Sequence, residues 1–166
     1  MMIEKKFVFS ALPKNLYEMQ QMPEASMDDP YKTAALTVCA LCVYGEDKQA
    51  GIDMLNWLKG PVSLSAFDIS FLDDRFRGGN TCVPYSYFQG AVPDNDYTPS
   101  QPYMLTIEEG PYADAVSKYK KLHIRSGGAD SAREVLLRLG ADGKWYLWNQ
   151  FLMLSIRTPR SKNPWA

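Results

Sequence analysis

The run from Asp29 to Gly45 constrains the fold of this chain more than any other stretch. Asp29 can cap a helix whose first position is Pro30, where a missing N–H costs nothing, and the helical pattern reaches Tyr44 before Gly45 stops it. Tyr31, Ala35, Val38, Leu41 and Cys42 give this helix one apolar face, while Ala34, Cys39, Ala40 and Val43 make its other faces apolar too. A helix that is apolar all round has to be covered on more than one side, so this one is expected at the centre of the molecule. With 166 residues, 46% of them hydrophobic, the chain has material for one sizeable core, and residues 1–166 read as a single domain.

Two further helices follow by the same logic. One runs from about Lys48 to Lys59, with Ile52, Leu55 and Leu58 on one stripe and Gly60-Pro61 as its stop. The next opens on Ser65, whose hydroxyl can cap the amide of Asp68 while Asp68 reaches back. Leu64 and Ile69 form a hydrophobic staple, and Leu72 and Phe76 continue the buried face until Gly78-Gly79. These three helices form a helical part over about 29–77. Upstream, the segment from Lys6 to Pro23 is ambiguous between a short strand at Phe7-Val8-Phe9 and a brief helix through Leu16 and Met19.

Residues from about 80 to 102 carry four prolines together with Tyr85, Tyr87, Phe88 and Tyr97, which predicts an ordered loop laying its rings over the domain, with Val83 to Phe88 as a candidate strand. A sheet part spans about 103–157. Tyr103, Leu105 and Ile107 alternate with Met104, Thr106 and Glu108, a second strand covers about Tyr119 to Arg125, and a third places Val135, Leu137 and Leu139 on one face. Asp142-Gly143 signals a two-residue hairpin into Lys144 to Trp148, and Leu152, Leu154 and Ile156 alternate as a candidate last strand.

Charge and cysteine usage narrow the function. Lys and Arg total 18 against 19 Asp and Glu, a net charge of −1, so no positive excess exists to hold a polyanion or a membrane surface. Three Cys cannot staple a scaffold, and the start Met1 to Lys6 leads into only a short apolar patch, so a cytoplasmic protein without membrane or nucleic-acid partners is expected. Cys39-Ala40-Leu41-Cys42 falls in the last turns of the apolar helix rather than at a helix N-terminus, which favours buried structural thiols over redox or zinc chemistry. No metal and no cofactor is expected.

His123 is the one imidazole, so any histidine mechanism has to use it. Strand alternation sets it on the face of Lys121 and Arg125. The loop Ser126-Gly127-Gly128-Ala129-Asp130-Ser131 joins two strands, and Ser126 and Asp130 can bond its amides while Arg125, Arg133 and Arg138 offer an anion-binding surface. It lacks the phosphate-loop lysine and opens no helix. Aromatic residues make up 13% of the chain, with Tyr87 and Tyr97 in the proline-rich loop and Tyr146 and Trp148 beyond the hairpin as candidates for ligand or partner contact.

The stretches Thr33–Tyr44, Gly51–Pro61, Ser86–Pro102 and Lys121–Arg138, the string Gly143-Lys144-Trp145-Tyr146-Leu147-Trp148 through Ile156-Arg157, and the closing Pro164-Trp165-Ala166 together resemble an uncharacterised family of small bacterial proteins, of the kind found in gut Firmicutes, that carries a domain of unknown function. The resemblance spans nearly the whole chain and implies no catalytic, metal-binding or cofactor-binding residue.

The fold expected is α+β, with three N-terminal helices packed on a curved, mostly antiparallel sheet of four to six strands, a layout analogous to the cone-shaped nuclear-transport-factor-like fold. The expected function is a non-enzymatic binding or protein-interaction domain using aromatic and Arg-bearing loop surfaces toward a protein or small molecule. One alternative is a small enzyme acting on an anionic or polar molecule with His123 near the arginines; another is a structural or self-associating domain. A monomer or homodimer fits either.

Overall fold

The computed structural model describes residues 3–166. In chain order it runs β1 (Glu4–Phe9), α1 (Leu16–Gln20), α2 (Pro30–Glu46), α3 (Lys48–Lys59), α4 (Ala66–Phe76), β2 (Tyr103–Glu109), β3 (Tyr119–Ile124), β4 (Arg133–Leu139) and β5 (Trp145–Gln150), with short 3₁₀ turns between and after. The ambiguous N-terminal segment contains both readings: a strand first, then a helix whose N-cap Asn15 accepts the amide of Glu18.

The helices begin where their caps place them. Asp29 accepts the amide of Tyr31, with Pro30 leading α2. Asp47 both ends α2 and caps α3 through the amide of Ala50, and Ser65 and Asp68 form the reciprocal capping box of α4. Gly45 does not stop α2, which continues to Glu46. A Cβ there would lie 3.0 Å from the carbonyl oxygen of Thr81 and 3.1 Å from Phe76, so this glycine lets the 80–87 segment and α4 approach the helix.

All-round burial of α2 follows from its position. One side packs on β2, β3, β4 and β5; the other is covered by α3 and by the 3₁₀ turns Pro23–Ser26 and Asn80–Tyr87. Every residue from Thr33 to Tyr44 is buried. Thr33 and Thr37 enter this core with their hydroxyls satisfied, Thr33 Oγ1 donating to the Trp145 carbonyl at 2.6 Å and Thr37 Oγ1 to the Thr33 carbonyl at 2.9 Å. Leu105, Ile107, Leu122, Ile124, Val135, Leu137 and Leu147 supply the sheet's side of the same core.

The sheet is a five-stranded antiparallel meander in the order β1-β2-β3-β4-β5. This corrects the curved, cone-shaped sheet expected from the sequence: the sheet is open, because β1 and β5 lie at opposite edges. A single helix, α2, spans β2 to β5 on the inner face, so no concave interior is enclosed. Two candidate strands are absent. Val83 to Phe88 lies mostly in a 3₁₀ turn that packs on α2, and Leu152 to Ile156 turns back on itself, the Leu154 amide bonding the Phe151 carbonyl. The last place at the N-terminal edge goes to β1, whose Glu4 to Phe9 pair with Glu108 to Tyr103.

Candidate functional site

With the helices on one face, strand alternation leaves Met104, Thr106, Glu108, Tyr119, Lys121, His123, Glu134, Leu136 and Arg138 on the other. The aromatic and cationic part of this outer face is built at the β3–β5 side. Arg138 sits opposite Tyr119, its guanidinium 5.4 Å from that ring and 4.8 Å from the ring of Trp148; the two rings meet edge-on at 5.9 Å. A register shift between Leu136 and Leu137 accommodates an extra residue of β5 at this point. Trp148 remains 37% exposed, which is high for a tryptophan held by two neighbours.

Beside this cluster lies a cleft of about 270 Å³ between the α3–α4 connection, at Pro61 and Val62, and Arg138, Tyr146 and Trp148. Tyr146 is fixed by its hydroxyl, which donates to Asp142 at 2.5 Å, and by ring contact with Gly60. Three of the residues singled out in the sequence, Arg138, Tyr146 and Trp148, thus come together here. Lys59 and Tyr119, which sequence reasoning passed over, join them. Lys59 closes α3, and its ammonium donates to the carbonyl of Trp148 at 3.1 Å; burial holds its pKa below the ordinary lysine value. Across Lys59 is a second cleft, of about 160 Å³, walled by Leu55, Leu64, Phe67, Phe71, Leu147 and Phe151.

A separate open groove of about 520 Å³ crosses the outer face of β2, where Arg125, Ser126 and Tyr87 are found. Arg125 is paired with Glu108 at 2.7 Å. Ser126 donates to the hydroxyl of Ser86 at 2.7 Å and accepts the Gly128 amide at 3.0 Å, and the buried Tyr87 hydroxyl bonds the Leu152 carbonyl. The Gly-rich loop fits only because of its glycines: a Cβ on Gly127 would fall 2.0 Å from the carbonyl oxygen of Ala91.

The other loop residues tie down the segment after β5. Arg133 donates to the carbonyls of Ser131, Leu154 and Ser155 at 2.8 to 3.1 Å and to the Ser131 hydroxyl at 3.0 Å. Asp130 pairs with Arg157, and the buried Tyr97 donates to the Arg157 carbonyl at 2.6 Å, its phenol pushed up to about 12 by burial. These three groups stand apart from the Arg138 cluster.

His123 has different neighbours from those its own strand suggests. Glu108 and Glu134 lie directly across from it, with Glu134 Oε1 3.7 Å from Nε2, and Arg125 turns to Glu108 instead. Its Nδ1 is buried against Gly110 with no hydrogen-bond partner, and the ring lines none of the three clefts described. Cys39 and Cys42 are fully buried, which pushes the Cys39 thiol up to about 12 and Cys42 upward as well; Cys82 is half-buried and raised by the same cause. Among the described residues no three His, Cys, Asp or Glu side chains gather as a metal would require, and no helix is long and apolar enough to cross a membrane.

Comparison with known proteins returns one family. The model described as Domain of unknown function (DUF6935) matches residues 11–160. No curated protein and no solved structure matches the chain.

Proposed function

The chain belongs to the DUF6935 family of domains of unknown function, and we propose that it is a non-enzymatic protein-interaction domain that meets its partner through the outer face of the sheet at β3–β5. The observation that carries this reading is the Arg138 guanidinium lying over the rings of Tyr119 and Trp148, which meet edge-on, on the sheet face opposite α2. Trp, Tyr and Arg are the residue types that dominate binding energy at protein interfaces, because each combines large contact area with a polar handle. Here they are pre-positioned by one another, so little side-chain entropy is lost on contact. The groove at β2 offers less, since its arginine is already neutralised by Glu108.

The resemblance to small bacterial proteins and the three unpaired thiols support a bacterial cytoplasm as the setting. The near-zero net charge supports a protein partner over a nucleic acid, and a monomer or homodimer fits a chain of this size. The test is site-specific photocrosslinking in the native cell, with benzoylphenylalanine placed at Leu136 on the outer face and, as control, at the exposed Gln49 on α3. A discrete protein adduct from position 136, absent from position 49 and lost on Trp148→Ala, is expected. Equal adducts from both positions, or none from either, would overturn the reading.

A further inference from the structure

We propose that the free edge of β1 is a self-association surface, on which a second copy of this chain docks its own β1, antiparallel, about a twofold axis at Lys5. The pairing continues the sheet from one chain into the next. It leaves the β3–β5 outer face of each chain open, and it does not rest on the interaction reading of that face.

The two edges of the sheet differ. At β5 the edge is closed: Leu147 is 3% exposed, the Trp145 amide and carbonyl are taken by Met27 and Thr33, and Lys59 occupies the Trp148 carbonyl. At the other end β1 has β2 as its neighbour, and no further element packs along its second side. The Glu109 amide donates to the Ile3 carbonyl at 2.8 Å, which fixes the alternation of the ladder. Lys5, Phe7 and Phe9 therefore bond toward β2, while the amides and carbonyls of Glu4, Lys6 and Val8 point away from it. Those backbone groups have no partner among the described residues, and all three side chains are exposed. An edge left this way is a template for another strand.

The side chains decide which strand fits. Antiparallel pairing about Lys5 sets Glu4 opposite Lys6 of the second copy on the outer face, and symmetry repeats the contact. The neighbouring charges are already taken, Lys5 by Asp29 and Glu108 by Arg125, while neither Glu4 nor Lys6 has an ion pair among the described residues. On the inner face Ile3, which is 51% exposed, meets the half-buried Phe7 of the second copy. The two Lys5 residues meet at the axis. Each is matched by Asp29 of its own chain and lies over the Tyr31 ring at 4.7 Å, so lysines that would ordinarily repel a strand are neutralised here.

The register is selected as well. Sliding one strand by two residues sets Glu4 against Glu4 or Lys6 against Lys6, and sliding it by four toward the C-terminus sets Lys6 against Val8 and loses both ion pairs. Growth stops at two chains, because the dimer uses both β1 edges and the β5 edges are closed.

The test is sedimentation equilibrium of the full chain from micromolar to millimolar concentration, with amide hydrogen exchange followed by NMR. A monomer–dimer equilibrium is expected. Exchange at Glu4 and Lys6 should slow as concentration rises, while Lys5 and Phe7, already bonded to β2, change little. Glu4→Lys and Lys6→Glu should each weaken dimerisation about tenfold by setting like charges opposite one another. The double variant carrying both changes should restore it, which a general loss of folding would not allow. A chain that stays monomeric at millimolar concentration, a dimer with no slowed exchange at Glu4 and Lys6, growth beyond two chains, or a double variant no better than the single ones would overturn the proposal.

Discussion

The hydroxyl of Tyr31 donates to Glu109 at 2.6 Å, joining the first turn of α2 to the last residue of β2. Lys120 then bridges Glu109 and Asp114 at 3.0 Å each, so one phenol anchors the β2–β3 loop to the central helix. The Tyr31 hydrogen bond is the main cause holding the Glu109 carboxyl below its ordinary value of 4.5. A depressed carboxylate contributes stability that is fully present above the ordinary value and is lost as pH falls through the folded one. Tyr31→Phe should therefore cost about 1 kcal/mol near neutrality and flatten the acid side of the stability profile. Urea unfolding at about pH 7 and about pH 3 checks both, with the two proteins converging at the lower pH.

Gly127 is expected to tolerate no side chain. A Cβ at this position meets a backbone carbonyl, that of Ala91, which cannot rotate away as a flexible side chain would. The Gly127 amide also bonds the Ser86 carbonyl at 2.8 Å, so the two loops cannot separate without losing that bond. Gly127→Ala should destabilise by about 1–3 kcal/mol, the usual range for overpacking, read as a lowered denaturation midpoint with an unchanged slope.

What the sequence makes legible here is what is local. Asp29 with Pro30 and Ser65 with Asp68 act within four residues, and both helices start where those signals put them. The hairpin expected at Asp142-Gly143 forms there too, but as a three-residue loop, Ala141 to Gly143, rather than as the two-residue turn expected; the Gly140 amide closes it on the Lys144 carbonyl, with Gly143 at positive φ. The open sheet was not legible, because its shape depends on β1 pairing with β2 across about a hundred residues of chain, a contact no periodicity encodes. Leu152 to Ile156 alternates like a strand, yet the Leu152 amide is taken by the Gln150 side chain and the Leu154 amide by the turn. In the candidate site, Arg138 and Trp148 stood out by residue type. Lys59 did not, since its burial arises from β5, far along the chain.

Arg133 illustrates how a residue of the right type serves a different end. Its donors bind backbone carbonyls at 131, 154 and 155, so it holds the segment after β5 in place. Arg133→Met should lower stability by about 2 kcal/mol and raise amide hydrogen exchange in residues 152–157 above the global rate. Arg133→Lys should not restore protection, because one ammonium cannot reproduce the planar fork.

The thiols should separate by burial. Reaction proceeds through the thiolate, and desolvation pushes the Cys39 and Cys42 thiols far from it, while Cys82 is raised but half-exposed. Iodoacetamide on the native protein should label Cys82 alone, more slowly than a free thiol. All three should label in guanidinium, as mass spectrometry of the intact chain would record. Rapid native labelling of Cys39 or Cys42 would mean that α2 is less enclosed than its packing indicates.

Arg138 and Trp148 should matter far more for binding than for folding. A cation–π contact at an exposed site contributes about 0.5–1 kcal/mol, so a double-mutant cycle of Arg138→Ala and Trp148→Ala on unfolding free energy should give a coupling of that size. Neither side chain is in the core, so each single change should cost the fold little. At an interface the same truncations remove a central anchor, and losses of about 2 kcal/mol or more are typical of such residues. Binding to the partner recovered by crosslinking should therefore weaken about thirtyfold for Trp148→Ala, with the denaturation midpoint almost unmoved. A variant that loses stability and binding in proportion would instead make the Arg138–Trp148 pair a structural brace of the β4–β5 edge.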